Sequence, residues 1–361
     1  MQRRARKVLV PAIGRLLMPS FNRRHVIAGA AGALAASAAA PLAAQNIAPD
    51  LTGKAILVTG TSSGFGRLGA LLYVRAGAKV FATMRNLPRP QADELRQIAR
   101  AEKLDLTVLE LDVTSDASVT RAIAEAEMLA GGALDVLVNN AGINIFGPVE
   151  VQDMEAMRLN FETNVLGPQR TARAALPAMR AKKGGLIVNI SSQQGRFVMP
   201  GGGVYAPTKF ALEAMSEQMA YELAPHGVEV TIIQPGGFPT GIGANRARLS
   251  KALAERAELE RLAAYGDMAA RMKAAPPAPR PAGAGPAPVN PGFGSATVPD
   301  PNDVPRAIAE IVALPAGRRP LRRMVHPGAK PQEAINKVSA ETQMALMSHG
   351  PYAEWARAVL D

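Results

Sequence analysis

Between residues 55 and 233, six short apolar runs alternate with longer stretches of helical pattern, and this alternation leaves the chain few folds to adopt. The runs lie at 55–59 (AILVT), 79–83, 107–111, 134–138 (LDVLV), 186–190 (LIVNI) and 228–233 (VEVTII). A short run that is apolar at nearly every position suits a strand covered on both faces. The stretches between them, at 68–76, 92–102, 115–129, 153–164, 167–181 and 205–223, read as helices. Strand and helix in alternation predict an α/β fold, a doubly wound parallel sheet of Rossmann type. Its crossovers should be right-handed, with helices on both faces and ligands at the carboxyl ends of the strands.

The pattern changes after residue 241. Residues 244–273 look helical and charge-rich, and 276–301 hold nine prolines, as a linker or a lid would. A short helix is expected at 303–313, a further strand at 321–325 and a helical tail over 332–360. The expected organisation is a leader at 1–45, one catalytic domain at 50–275, a proline-rich lid at 276–301, and an extension at 302–361 that completes the sheet.

A formal net charge of +11 raises the question of nucleic-acid binding. The charge is unevenly placed. Residues 1–44 hold seven basic residues (Arg3, Arg4, Arg6, Lys7, Arg15, Arg23 and Arg24) and no acid. The rest of the chain then carries 34 basic residues against 30 acidic ones. Aromatic residues are only 4%, too few for a base-stacking surface, so no nucleic-acid partner is expected. With no cysteine and four histidines in no ligand-spaced cluster, no metal site is expected either. In the leader, Arg23-Arg24 precede an uncharged, alanine-rich run at 26–44. This is similar to a twin-arginine export signal, which implies a periplasmic protein with no stable membrane insertion once the leader is removed. An uncleaved membrane anchor, a transit peptide, a misread start and a cytoplasmic protein remain the alternatives, and Met18 is a plausible true start because it would leave a short basic n-region.

Thr59-Gly60-Thr61-Ser62-Ser63-Gly64-Phe65-Gly66 stands directly between a predicted strand and a predicted helix. Glycines here permit a tight turn (Gly60), backbone approach to a pyrophosphate (Gly64) and close helix–strand packing (Gly66). The helix start then offers free N–H groups to phosphate. The second strand ends Ala82-Thr83-Met84-Arg85, with no acid to receive a free ribose hydroxyl and a cation able to pair with a 2′-phosphate. NADP is therefore expected as cofactor, with NAD possible.

Tyr205 and Lys209 lie four residues apart at a predicted helix start, on one face. A tyrosine titrates near ~10 and needs help to act as a base at neutral pH; a nearby ammonium would favour its anion. Ser192, just past the strand at 186–190, could hydrogen-bond a substrate oxygen. Pro207 inside the Tyr205–Lys209 turn is tolerable only in a first helical turn.

Taken together, these residues resemble the short-chain dehydrogenase/reductase family. The match comprises Thr59-Gly60-x3-Gly64-x-Gly66, Asp112, Asn139-Asn140-Ala141-Gly142, Asn164, Ser192, Tyr205-x3-Lys209, and Pro235-Gly236 with Thr240, in that order. It covers about 52–242 strongly and 300–325 weakly, and Ala82–Arg85 with 209–213 are similar to the branch of hydroxysteroid and retinol dehydrogenases. The resemblance implies an oxidoreductase that moves a hydride between NADP(H) and a carbonyl or alcohol. It implies a tetrad of Asn164, Ser192, Tyr205 and Lys209, with Asn164 holding a water and Lys209 the nicotinamide ribose. Asp112 and Val113 would meet the adenine, and Asn140 and Gly142 the inner ribose. Pro235, Gly236, Phe238 and Thr240 would cover the nicotinamide. Ser62 and Arg85 would take the 2′-phosphate beside Ser63 and Phe65 of the turn. A homodimer or homotetramer through the two long central helices is likewise implied. Asn144, Phe146, Arg196, Phe197, Val198 and Phe238 are expected around a small, hydrophobic substrate. The alternative is a non-catalytic dinucleotide sensor or scaffold on the same fold.

Overall fold

Seven parallel strands form one sheet in the order β3-β2-β1-β4-β5-β6-β7. The structure, a computed structural model, describes residues 49–274 and 298–360. In chain order the elements are β1 (Ala55–Val58), α1 (Gly64–Arg75), β2 (Lys79–Met84), α2 (Pro90–Glu102), β3 (Leu106–Glu110), α3 (Asp116–Ala130) and β4 (Val136–Asn139). There follow α4 (Met154–Phe161), α5 (Gly167–Lys182), β5 (Gly185–Ile190), α6 (Tyr205–Leu223) and β6 (Val228–Pro235). The last are α7 (Ile242–Arg256), α8 (Leu259–Ala263), α9 (Gly266–Lys273), α10 (Asp303–Ala313), β7 (Arg322–Val325), α11 (Gln332–Met347) and α12 (Ala353–Leu360).

The apolar runs are continuous because both faces of the sheet are covered. Successive strand side chains point to opposite faces, and two core layers divide them. Ile56, Val58, Val136, Val138 and Val188 pack with Tyr73, Leu95 and Ile308 in one layer. Leu57, Leu137 and Ile187 pack with Ile123, Ala172, Met179 and Ala220 in the other. A third apolar cluster joins Ile143 and Ile145, after β4, to Leu253, Leu262 and Met272 of α7–α9. The chain winds from β1 through β2 to β3 on one side, then restarts beside β1 at β4. That reversal opens a crevice at the carboxyl ends of β1 and β4.

Three expectations need correction. The helices expected at 153–164 and 167–181 are one continuous rod, because a π turn, Glu162–Leu166, joins α4 to α5. Residues 244–273 form three helices, α7–α9, instead of one stretch. The helical tail is interrupted between α11 and α12, where Gly350-Pro351 cannot sustain a helix. The leader at 1–45 and nearly all of the proline-rich stretch at 276–301 lie outside the described residues. Among the described residues no helix is long and apolar enough to cross a membrane.

Candidate active site

The turn between β1 and α1 is strapped from behind. Thr59 Oγ1 accepts the N–H groups of Asn140 (2.9 Å) and Ala141 (3.0 Å). In return, Asn140 Nδ2 donates to the carbonyls of Thr59 (2.8 Å) and Gly60 (3.2 Å). Thr61 ties the turn to β2 by donating to the Thr83 carbonyl at 3.0 Å. Only glycine fits between these straps. A Cβ on Gly66 would stand 2.4 Å from Asn140 Nδ2, and one on Gly60 2.9 Å from Ala141 Cα. Gly60 and Gly64 also take left-handed φ values of 72° and 57°. Ser63, the N-cap of α1, gives no side-chain cap, and the first turn holds no acid. The first N–H groups of α1 thus have no side-chain competitor for an anion. This cradle fits a dinucleotide pyrophosphate. Asn140, expected at the inner ribose, lines the cleft while its Nδ2 is spent on the turn.

One cleft of about 1110 Å³ runs from this turn across the strand ends, and the expected residues line it, Gly66 and Asn164 excepted. Gly66 sits behind the turn; Asn164 is fully buried beneath the floor. At the β2–β3 end, Asp112 Oδ1 accepts the Thr114 N–H (2.9 Å) and hydroxyl (2.8 Å). Arg85 is exposed there, and a second cation, Arg89, stands beside it. Arg89 caps the chain by donating to the Arg85 carbonyl at 3.3 Å.

α6 begins at Tyr205, so Pro207 takes the third helical position, where no N–H partner is lost. Tyr205 and Lys209 are both buried. The Tyr205 phenol faces the side chain of Ser192, whose Oγ accepts the Gln194 N–H at 3.1 Å. Lys209 Nζ lies 5.6 Å from the centre of the Tyr205 ring and donates to the Ile190 carbonyl at 2.7 Å. Asn164, in the π turn, uses its whole side chain as a clip. Its Oδ1 accepts the Ile143 N–H (2.8 Å), while Nδ2 donates to the Ile143 carbonyl (2.9 Å) and to Thr208 Oγ1 (3.1 Å). The clip fixes the loop after β4 against the first turn of α6. π turns of this kind often mark functional positions in long helices.

The electrostatics differ from expectation. Burial pushes the Tyr205 phenol above its ordinary value, partly offset by the Ser192 side chain and the charge of Arg246. Burial brings Lys209 down to about 8, against the opposing pull of Glu213. Lys209 was expected to draw the phenol toward its anion. Its ammonium is instead turned to Ile190, and Arg246 on α7 is the cation whose field favours the tyrosinate.

Of the expected substrate residues, Asn144, Phe197 and Phe238 line the cleft and Phe146, Arg196 and Val198 do not. Phe146 presses on Gly201, where a Cβ would be 2.8 Å from its ring. Arg196 is drawn under α6, where burial lowers it beside Arg322, Glu213 and Glu217. Val198 points to solvent. Sequence reasoning missed Gln193, Gln194, Arg246 and His326 in the cleft wall. His326 arrives from the end of β7, and a Cβ on Gly236 would lie 2.5 Å from its Cδ2. Its ring meets Phe238 edge-on at 5.7 Å, and Phe238 meets Phe65 at 5.4 Å. Burial lowers the His326 pKa, so the ring is neutral where it supports that loop. The signal for His326 was the pairing of β7 with β6, which no local motif announces.

Residues 54–250 match the family model for short chain dehydrogenases. The chain is 38% identical over 191 residues to a 3-ketodihydrosphingosine reductase of Bacteroides thetaiotaomicron, covering 53% of this chain and 66% of that one. It is 38% identical over 194 residues to the mitochondrial D-beta-hydroxybutyrate dehydrogenase of Rattus norvegicus, covering 52% and 55%. The match thus spans less than two thirds of the length of these curated relatives. The crystal structure of a short-chain dehydrogenase from Streptomyces avermitilis superimposes with a TM-score of 0.57 at 31% identity, covering 82% of this chain and 98% of that one. The phosphate turn, the parallel sheet and the matched span agree: this chain belongs to the short-chain dehydrogenase family.

Proposed function

We propose that the protein is an oxidoreductase that interconverts an alcohol and a carbonyl compound with NADP(H), using Tyr205 to move the proton. The observation that carries this reading is that Tyr205, Ser192 and Lys209 share the cleft that the glycine turn opens, with Lys209 Nζ 5.6 Å from the Tyr205 ring. When bound, the nicotinamide ring supplies or accepts the hydride. The chain's own residues do the rest. Backbone N–H groups at the start of α1 hold the phosphates. Arg85 and Arg89 meet the 2′-phosphate, in an end of the cleft whose single acid, Asp112, is engaged by Thr114. Ser192 orients the substrate oxygen and stabilises charge on it. Tyr205, neutral at physiological pH because it is buried, gives its proton to a carbonyl oxygen and takes it back from an alcohol. Lys209 keeps a positive charge beside both and anchors α6 to β5 through Ile190.

The same reading extends to export under the direction of the 1–45 leader and to self-association through α4 and α5. Mixing the full-length protein with NADPH and a panel of ketones, aldehydes and quinones tests the activity. Ketone-dependent NADPH oxidation is expected; tight NADPH binding with no turnover of any carbonyl would leave a sensor instead.

A further inference from the structure

The substrate end of the cleft carries positive charge and nothing to balance it. Among the described residues lining the cleft, the acid is Asp112, at the β2–β3 end. Arg246 and Arg248, on the first turns of α7, also line the cleft. Arg246 makes no ion pair among the described residues. Acids around the C-terminal end of α7 are paired with other cations: Asp153 with Arg256 at 2.6 Å, Glu258 with Arg261 at 2.8 Å and Glu255 with Lys251 at 3.8 Å. Val298 and Pro299 lie on the cleft wall, but residues 275–297 leading to them contain Arg280 and no acid, and residues 1–48 contain none either. Arg246 is nonetheless near the chemistry, because its charge acts on the Tyr205 phenol. Its neighbours in the wall are polar. Asn144 Oδ1 and Gln194 Oε1 are buried there without a hydrogen-bond partner.

An unbalanced arginine at the mouth of a low-dielectric cleft concentrates anions there, and its planar fork matches a carboxylate or phosphate in two-point contact. We propose that the substrate carries an oxyanion group, a carboxylate or a phosphate, beside its reacting carbonyl or alcohol, and that Arg246 receives it. The inference rests on the oxidoreductase reading above and narrows its substrate class. It also replaces the expectation of a small, purely hydrophobic substrate. Arg246 acts here as a specificity residue: it holds the far end of the substrate and so sets which carbonyl reaches Tyr205.

The test compares matched probes on the full-length protein: a 3-oxo acid against its methyl ester, and a ketone phosphate against its parent hydroxy ketone. The wild type is expected to favour the charged member of at least one pair by about tenfold or more in kcat/KM, through KM. The pair that shows the preference identifies the oxyanion as carboxylate or phosphate. The preference should shrink as salt is raised, as a partly exposed charge contact does. Arg246→Gln should bring the ratio of charged to neutral substrate down about tenfold, and Arg246→Lys should keep part of it. NADPH affinity, read from its fluorescence on binding, should not follow the ratio. Equal turnover of charged and neutral probes by the wild type would overturn the inference and leave the oxidoreductase reading standing. So would a ratio unchanged in Arg246→Gln. A loss of NADPH affinity that accounts for the whole defect would place Arg246 on the cofactor phosphates, also against the inference. No turnover of any probe would remove both readings.

Discussion

The ammonium of Lys209 lies 2.7 Å from the backbone oxygen of Ile190, the last residue of β5. The contact pins the first turn of α6, with Tyr205, to the strand that leads to Ser192. Burial of the same ammonium away from water is why its pKa falls to about 8 from an ordinary 10.5. Between these two values the unfolded chain binds the proton and the folded chain does not. Stability should therefore rise as pH goes from about 8 to 10.5. Urea unfolding across this range should show the rise in wild type and a flatter profile in Lys209→Met. Carbonyl reduction, which needs the charged ammonium and the neutral phenol, should be level at neutral pH and fall as pH passes about 8. Alcohol oxidation, which needs the phenol to give up its proton, should rise with pH instead.

Tyr205→Phe removes one oxygen from a buried ring that otherwise packs unchanged. General acid–base groups contribute about a hundredfold to ten-thousandfold in rate, so kcat should fall by at least that range while NADPH binds as before. Stopped-flow turnover together with fluorescence titration separates the two quantities. Retained turnover would remove Tyr205 from its role.

At Arg85's end of β2 the acid lining the cleft, Asp112, is engaged by Thr114, and Glu110 of β3 accepts the Leu87 N–H at 3.3 Å. Arg85→Asp should reverse or level the preference for NADPH over NADH. A charged hydrogen bond is worth about 1.5–3 kcal/mol, or about ten- to a hundredfold in Kd. Equal affinity of the wild type for both cofactors would count against the assignment.

The strands and the catalytic spacing were legible because each is written locally. Apolar runs announced six of the seven strands to within about two residues, and the seventh was expected at 321–325. The tyrosine–lysine pair needed only one helical turn, and the glycine turn only its flanking strand and helix. What stayed hidden depends on long-range pairing. His326 meets Gly236 only because β7 adds beside β6. Arg246 meets Tyr205 only because α7 folds back over the strand ends. Arg196 and Phe146 sit near the cleft in sequence terms but are claimed by other contacts: the ion cluster under α6 for one and the Gly201 turn for the other. The rod from α4 to α5 was misread because a π turn keeps the helical hydrogen bonding while shifting its period.

Gly66 is held by its surroundings more than by its own φ angle. A Cβ would meet Asn140 Nδ2 at 2.4 Å and the Gly60 carbonyl oxygen at 2.5 Å. Neither can yield without opening the straps that shape the turn. Gly66→Ala should cost about 1–3 kcal/mol of stability and lower NADPH affinity in the same variant. Gly131→Ala, at a helix end with open space around its Cβ, is the comparison. It should lose some stability through its left-handed φ of 75° and leave NADPH affinity untouched. Equal effects of the two on cofactor affinity would argue that the Gly66 contacts are not what forms the site.

Beneath α6 a second feature fixes the catalytic helix. Arg322 of β7 pairs with Glu213 at 2.9 Å and with Glu217 of the same helix, and all three side chains are less than a tenth exposed. Gln234 Nε2 donates to Glu213 Oε1 at 2.9 Å, and Asn336 of α11 donates to Gln234 Oε1 at 2.7 Å. Glu213 stands one turn beyond Lys209 and supports its charge. Burial alone would raise Glu217, but the Arg322 charge and the Tyr221 and Arg322 hydrogen bonds hold it below its ordinary 4.5. The stability this contributes is present above that value and should be lost as pH falls through the acid range. Removing one member of such a cluster leaves buried charge without a partner, so Arg322→Met should cost about 3–5 kcal/mol in urea unfolding. Replacing Arg322, Glu213 and Glu217 together by apolar residues of similar size should recover most of that loss. It should not restore the Lys209 pKa, because Glu213 would be gone. The alkaline limb of carbonyl reduction in this triple variant should therefore move to lower pH. A triple variant as unstable as Arg322→Met alone would show that the cluster holds α6 by packing and not by charge.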